Sequence, residues 1–204
     1  MSECLLCEKE LTSKLSWKSL LTLEEQRFIC LDCSKMFKPA DTIIEDTTLD
    51  GLTSLFTYNE AMRDYLHQFK FLQDVVLAGV FGNELRTVLK SKVNVIPIPM
   101  HPKNKIARTF AHVEELLKSA CISYDDVLEK VDEESMGEKS KQERLAMFPL
   151  FKLKPNVTIK KEEYILVDDI YTTGTTLRHA ARLLKEAGAT KVGAVTLIRA
   201  KLNE

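Results

Sequence analysis

No stretch of this sequence approaches the 18 or more consecutive apolar residues that a membrane-spanning helix needs, so no span is expected. No secretory leader is expected either. The first residues carry two cysteines and acidic side chains where a leader has basic and then apolar ones, which leads us to expect a cytosolic, cytoplasmic protein. Charge of one sign is missing: 29 Lys and Arg face 30 Asp and Glu, a net −1. The chain therefore has no broad attraction for nucleic acid, and any such binding must come from a local patch. No internal repeat is evident. What is present is a length of 204 residues, with 45% apolar residues. That suffices for one packed domain of ordinary size plus something small.

Cysteine is scarce, and its placement is informative. Four of the five cysteines form C-x2-C, twenty-two residues, then C-x2-C: Cys4, Cys7, Cys30 and Cys33. Two such knuckles present four thiolates to one tetrahedral metal, and zinc is the usual occupant. Two disulfides or a redox pair compete with that reading. A cytosolic chain disfavours disulfides, and a redox motif has no need of duplication. Four cysteines leave no open coordination position, so the zinc is structural. We place this module at residues 1–40. Its interior, from Leu15 and Trp17 to Leu23, holds too few apolar residues for a core, so folding should depend on the metal. Its charges balance, six against six, and offer no obvious charge-driven surface for nucleic acid. Cys121, at an apolar helix end, reads as a small buried hydrophobe.

The most informative stretch is Tyr164 to Leu177, YILVDDIYTTGTTL. Tyr164, Ile165, Leu166 and Val167 read as a buried strand of a parallel sheet, with Asp168 and Asp169 where the strand leaves the core. Thr172, Thr173, Gly174, Thr175 and Thr176 then lead into an amphipathic helix. Such a loop offers backbone N–H groups, hydroxyls and a positive dipole end, an anion site suited to phosphate. Gly174 lets the backbone turn and approach a ligand. Two carboxylates would repel that phosphate, but they suit the hydroxyls of an attached sugar or a nearby Mg²⁺. The combination asks for a sugar phosphate. Read singly, DD caps a strand and TTGTT caps a helix.

Other segments give a coarse order. Residues 41–58 read as a hairpin or two strands around Asp50-Gly51. Asn59 caps a helix with Met62, Leu66 and Phe69 on one face, and Asp74 caps a second running to about Lys90. Val93 to Pro99 reads as a strand. The basic loop from His101 follows, and Arg108 opens a helix to about Ser119. Val127 to Val131 and Phe148 to Lys152 read as short strands. Between them, Glu133 to Arg144 is charged and aperiodic. It is either a lid, with Lys139, Lys141 and Arg144 as closing cations, or a solvated linker. A helix ending at Gly188 and a buried strand from Val192 to Ile198 complete an α/β, mainly parallel sheet flanked by helices.

The Tyr164–Leu177 stretch resembles the phosphoribosyl pyrophosphate (PRPP) motif of type I phosphoribosyltransferases. With the double C-x2-C, the Tyr58…Lys70-Phe71 segment, the Val-Ile-Pro-Ile-Pro strand and the Arg-x-Phe after it, the chain resembles the ComF family over nearly its whole length. The family's usual R-G-F-N-Q is replaced here by Arg108-Thr109-Phe110-Ala111-His112. The resemblance implies a type I phosphoribosyltransferase-like domain over residues 41–204. Asp168 and Asp169 would meet the ribose hydroxyls as the catalytic acids, Thr172 to Thr176 the 5′-phosphate, and the loop with Met100, His101 and Lys103 the pyrophosphate, with Mg²⁺ accompanying PRPP. It also implies a role in bacterial natural transformation, handling incoming single-stranded DNA beside the competence helicase ComFA and other uptake proteins.

Three readings follow. A DNA-uptake factor with a PRPP-type pocket would touch DNA phosphates through Lys70, Lys105 and Arg108. A true transferase would move ribose 5-phosphate from PRPP to a nucleobase or similar acceptor. A scaffold would sense PRPP and dock a partner on the zinc module.

Overall fold

The computed structural model describes residues 2–11, 28–40, 46–101, 108–131 and 149–200. The expected lid with Lys139, Lys141 and Arg144, the basic residues Lys103 and Lys105, and the stretch from Leu15 to Leu23 lie outside the described residues.

Strands β1 (Ser2–Glu3) and β2 (Glu10–Leu11) pair antiparallel and flank the first cysteine pair. Helix α1 (Leu31–Met36) begins at the second, with Cys30 as its N-cap. Strand β3 (Leu52–Thr57), helix α2 (Glu60–Phe71), a 3₁₀ helix (Val75–Phe81), helix α3 (Gly82–Leu89) and strand β4 (Val95–Pro97) follow. Then come helix α4 (His112–Ser119), strands β5 (Leu128–Lys130), β6 (Phe151–Leu153) and β7 (Glu163–Tyr171), helix α5 (Thr175–Glu186) and strand β8 (Lys191–Arg199). The main sheet has the order β3-β8-β7-β4, and all three pairings are parallel. Strands β5 and β6 form a separate antiparallel pair.

The central strands are apolar on both sides, as a sheet covered by helices on both faces requires. On one face, Tyr164, Leu166, Val192 and Ala194 pack with Leu177, Ala180, Ala181 and Leu184 of α5. On the other, Val167, Val195 and Leu197 pack with Met62, Tyr65 and Phe69 of α2 and with Leu116 and Leu117 of α4. Phe37, just past α1, belongs to that second core and meets Phe81 edge-on, with ring centroids 4.9 Å apart. The cysteine-bearing segment is thus packed onto the sheet domain.

Several elements differ from expectation. Strand β7 does not stop at Val167. It runs through both aspartates to Tyr171, because β8 continues beside it as far as Arg199. Of the hairpin or two strands expected over residues 41–58, β3 is the described part and lies parallel to β8, while residues 41–45 lie outside the described residues. Asp50 pairs with Lys185 at 2.7 Å and accepts the Val192 N–H. Among the described residues, β3 also has an antiparallel bridge from Pro39 to Phe56. The helix begun at Asp74 is split into the 3₁₀ turn and α3. Helix α4 starts at His112, four residues after Arg108, with Thr109 in the left-handed region at φ 62°. Cys121 is exposed at φ 54°, past the end of α4, where it has left the core-facing stripe.

Asn59 does more than expected. Its Oδ1 accepts the Met62 N–H at 2.9 Å and caps α2, while its Nδ2 donates to the Met36 carbonyl of α1 at 2.8 Å. Asn59→Ala should therefore cost about 1–2 kcal/mol in urea unfolding, against about 1 for a plain cap.

Candidate functional site

The carboxyl ends of β4 and β7 open onto a cavity of about 200 Å³. A crevice at this end of a parallel sheet is where such folds hold ligands. Asp168, Asp169 and Thr176 line it on the β7 side, Pro99, Met100 and His101 after β4, and Arg108 and His112 at the approach to α4. Thus residues named from three separate sequence stretches meet in one place. Thr172 and Thr173 are exposed and stand outside that lining, while Thr175 is half-buried in the first turn of α5.

The Thr/Gly loop turns at a glycine and enters a helix. Gly174 is the N-cap of α5 at φ 75°, and no side chain caps the helix. Its backbone conformation favours glycine, and an added Cβ would lie 2.7 Å from the Tyr171 hydroxyl and 2.8 Å from Arg178 Nη1. The loop is held from below. Arg178 bonds the Thr173 carbonyl through Nη2 and pairs with Asp46 at 2.8 Å through Nη1. The Asp46 side chain is only 4% exposed. Although burial opposes ionisation, the Thr48 and Leu49 N–H groups and Arg178 hold its carboxyl below the ordinary range. Arg178 thus braces the loop with its charge already matched.

The acids differ in environment. The Asp169 carboxylate forms an ion pair with Lys70, at the end of α2, and both side chains are largely buried. Lys70, expected at a DNA surface, is turned inward; its position on α2 beside Phe69 directs it to the strand end. Asp168 accepts the Asp169 backbone N–H at 2.8 Å. Burial, then the neighbouring Asp169 charge, pushes its pKa up to about 8, against the pull of that N–H and of Lys70 and Lys130. Mg²⁺ would want both carboxylates as hard oxygen ligands. With Asp169 already bonded to an ammonium, the pair as it stands does not fit a resident divalent ion.

His112 is 3% exposed, and its Nε2 has no hydrogen-bond partner among the described residues. Its ring stands 5.4 Å from Phe69 and 5.2 Å from Phe110. Burial, then Lys70 and Arg108, lowers its pKa to about 4, with Asp169 opposing, so it is neutral near pH 7. Arg108 lines the cavity and also lies over the exposed Phe71 ring, 5.0 Å from its centroid.

The four cysteines converge, their sulfurs all within 4.8 Å of one another. The Cys7 and Cys30 sulfurs are 3.7 Å apart, too far for a disulfide. A tetrahedral zinc with Zn–S about 2.3 Å would space its sulfurs about 3.8 Å apart. Burial opposes ionisation of Cys4, yet backbone N–H groups, Cys30 first, bring it down to about 6. Burial and its cysteine neighbours push Cys33 up. Four thiolates this close repel each other without a cation, so the donor set fits zinc in a structural role.

Sequence reasoning did not single out Lys130, Asp46 or Arg178, and it placed Lys70 elsewhere. The Arg at the fourth helix position after Gly174 was the only available hint of the brace.

Residues 108–203 match the family model described as phosphoribosyl transferase domain. The sheet, the open helix start behind Gly174 and the acid pair define a phosphoribosyltransferase-type domain, here joined to a four-cysteine cluster. The chain is 34% identical over 220 aligned positions to Competence protein ComFC of Streptococcus pneumoniae, covering 97% of this chain and 100% of that one. Identity to Competence protein ComFC of Bacillus subtilis is 29%, covering 96% and 94%. The chain belongs to the ComFC family of competence proteins. Among solved structures, a hypoxanthine phosphoribosyltransferase from Staphylococcus aureus aligns with TM-score 0.36 and 17% identity, over 63% of this chain and 62% of that one. No helix among the described residues is long and apolar enough to cross a membrane.

Stripping the metal with a chelator should remove hydrogen-exchange protection from residues 28–40 and leave β7 and β8 protected, because the sheet has its own core. Retained protection in a metal-free protein would show that zinc is not needed there. A second expectation concerns pH. His112 is neutral in both folded and unfolded chains above its ordinary pKa of 6.5 and contributes nothing there. Between 6.5 and about 4 only the unfolded chain takes up the proton, so stability falls as pH drops through this window. Relative to His112→Gln, the wild type should lose about 3 kcal/mol by pH 4 in denaturant titrations.

Proposed function

We propose that this protein acts in natural transformation, as a cytoplasmic factor handling incoming single-stranded DNA beside the helicase ComFA, and that its cavity binds PRPP. The names of the two curated relatives support the competence role. The observation that carries the ligand is the uncapped start of α5 behind Gly174, opening toward Asp168 and Thr176. The 5′-phosphate sits at that helix start, where N–H groups and the dipole favour it. The ribose hydroxyls meet Asp168, whose raised pKa makes the carboxyl a hydrogen-bond donor as well as an acceptor near pH 7. The pyrophosphate points to the loop with Met100 and His101 and to Arg108. Of the residues expected to meet DNA, Arg108 is at the rim, stacked on exposed Phe71, an arrangement suited to a base.

Calorimetric titration of PRPP with Mg²⁺ into zinc-loaded protein should show binding. It should be lost in the Asp168→Ala, Asp169→Ala double variant and weakened at least tenfold in Gly174→Ala, which fills the cradle and strains its backbone. Equal affinity in all three proteins would sink this assignment of the cavity.

A further inference from the structure

Among the described residues around the cavity, Asp168, Asp169 and Glu114 are the acids, and Arg108, Lys130 and Lys70 the bases. Lys70 differs from the other two cations. It does not line the cavity but reaches Asp169 from the last turn of α2, and the two side chains are 15% and 11% exposed. The pair is held from two packed elements, since Tyr65 and Phe69 bury α2 completely on its inner face and β7 is an interior strand. Among the described residues no other side chain pairs with the Asp169 carboxylate.

We infer that Lys70 is the resident cation of the acid pair, occupying at Asp169 the place that a divalent ion would otherwise take. The protein then accepts no free divalent ion at this site and meets Mg²⁺ only as the chelate that a diphosphate ligand brings with it. Mg²⁺ binds carboxylate oxygen at about 2.0–2.1 Å. An ion arriving at Asp169 would become the near neighbour of an ammonium that water screens little, and the like charges would repel. Lys70 also offsets the Asp169 charge that would repel a phosphorylated ligand, so Asp169 acts as a positioning residue for the ammonium and Asp168 is the acid left for the sugar. The second half of this inference rests on the PRPP reading of the cavity; the first does not.

Mn²⁺ in place of Mg²⁺, followed by electron paramagnetic resonance on the zinc-loaded full chain, tests it. Without PRPP, the wild type and Lys70→Arg should leave Mn²⁺ free. Lys70→Met should bind it roughly tenfold more tightly or better, as removal of one adjacent positive charge predicts, and Lys70→Met, Asp169→Asn should lose that gain. PRPP added to the wild type should recruit Mn²⁺. Uptake of Mn²⁺ by the wild type alone, abolished by Asp169→Asn, would overturn the inference. So would a folded Lys70→Met that gains no affinity. Should Lys70→Met not fold, the wild type against Asp169→Asn decides the matter, with Lys70→Gln in its place. Failure of PRPP to bind any of these proteins would overturn the ligand reading, while the PRPP-free Mn²⁺ titrations still decide the role of Lys70.

Discussion

Strand β7 has apolar partners above and below it as far as Val167, and neither face admits a charge until the flanking helices part at its carboxyl end. That constraint locates the site. Buried polar side chains of the sheet gather toward that end: Asp169 is buried, and Asp168 stands level with buried Thr196 of β8, itself hydrogen-bonded to Ser54 at 2.7 Å. The same two-sided burial anchors α2 and α5 against opposite faces. One helix then delivers Lys70 to the acid pair, and the other presents its open start to the cavity.

The loop and the acids are supported differently. The Thr/Gly loop is braced by Arg178, with Asp46 absorbing its charge, so the brace does not compete for a phosphate. The acids differ in their partners. Asp169 is ion-paired with Lys70, whereas burial and the neighbouring Asp169 charge push Asp168 toward the neutral form. Two adjacent carboxyls are thereby given different tasks by their surroundings.

Much of this was legible in the chain. The four cysteines, the Asn59 cap, the strand–acid–Thr/Gly–helix run and the Gly188 stop are local patterns, each tied to the chemistry of a few neighbouring residues. What escaped was tertiary. Lys70 lies next to Phe71 in sequence, yet one is turned into the fold and the other is 61% exposed. Nothing local says which side of α2 will meet the end of β7. The Arg178–Asp46 brace joins a helix to a loop far away in the chain, and Lys130 arrives from a separate two-stranded sheet. The length of β7 was misjudged because paired carboxylates read as a strand's end, whereas the ladder to β8 carries them onward.

The order of the sheet bears on how the chain is made. Strand β8 is interior, between β3 and β7, yet it follows every other described strand in sequence. During synthesis β3 leaves the ribosome well before β8, and the edge that β8 takes is unpaired until β8 follows. Its eventual partners in register, Leu52 with Ala194 and Phe56 with Ile198, are supplied last. Closing so long a loop is slow, and an unsatisfied parallel edge is a target for chaperones and for misassembly with a sister chain. The sheet is therefore closed by pairings of long sequence separation, and β3 is joined to β7 only through β8 among the described strands.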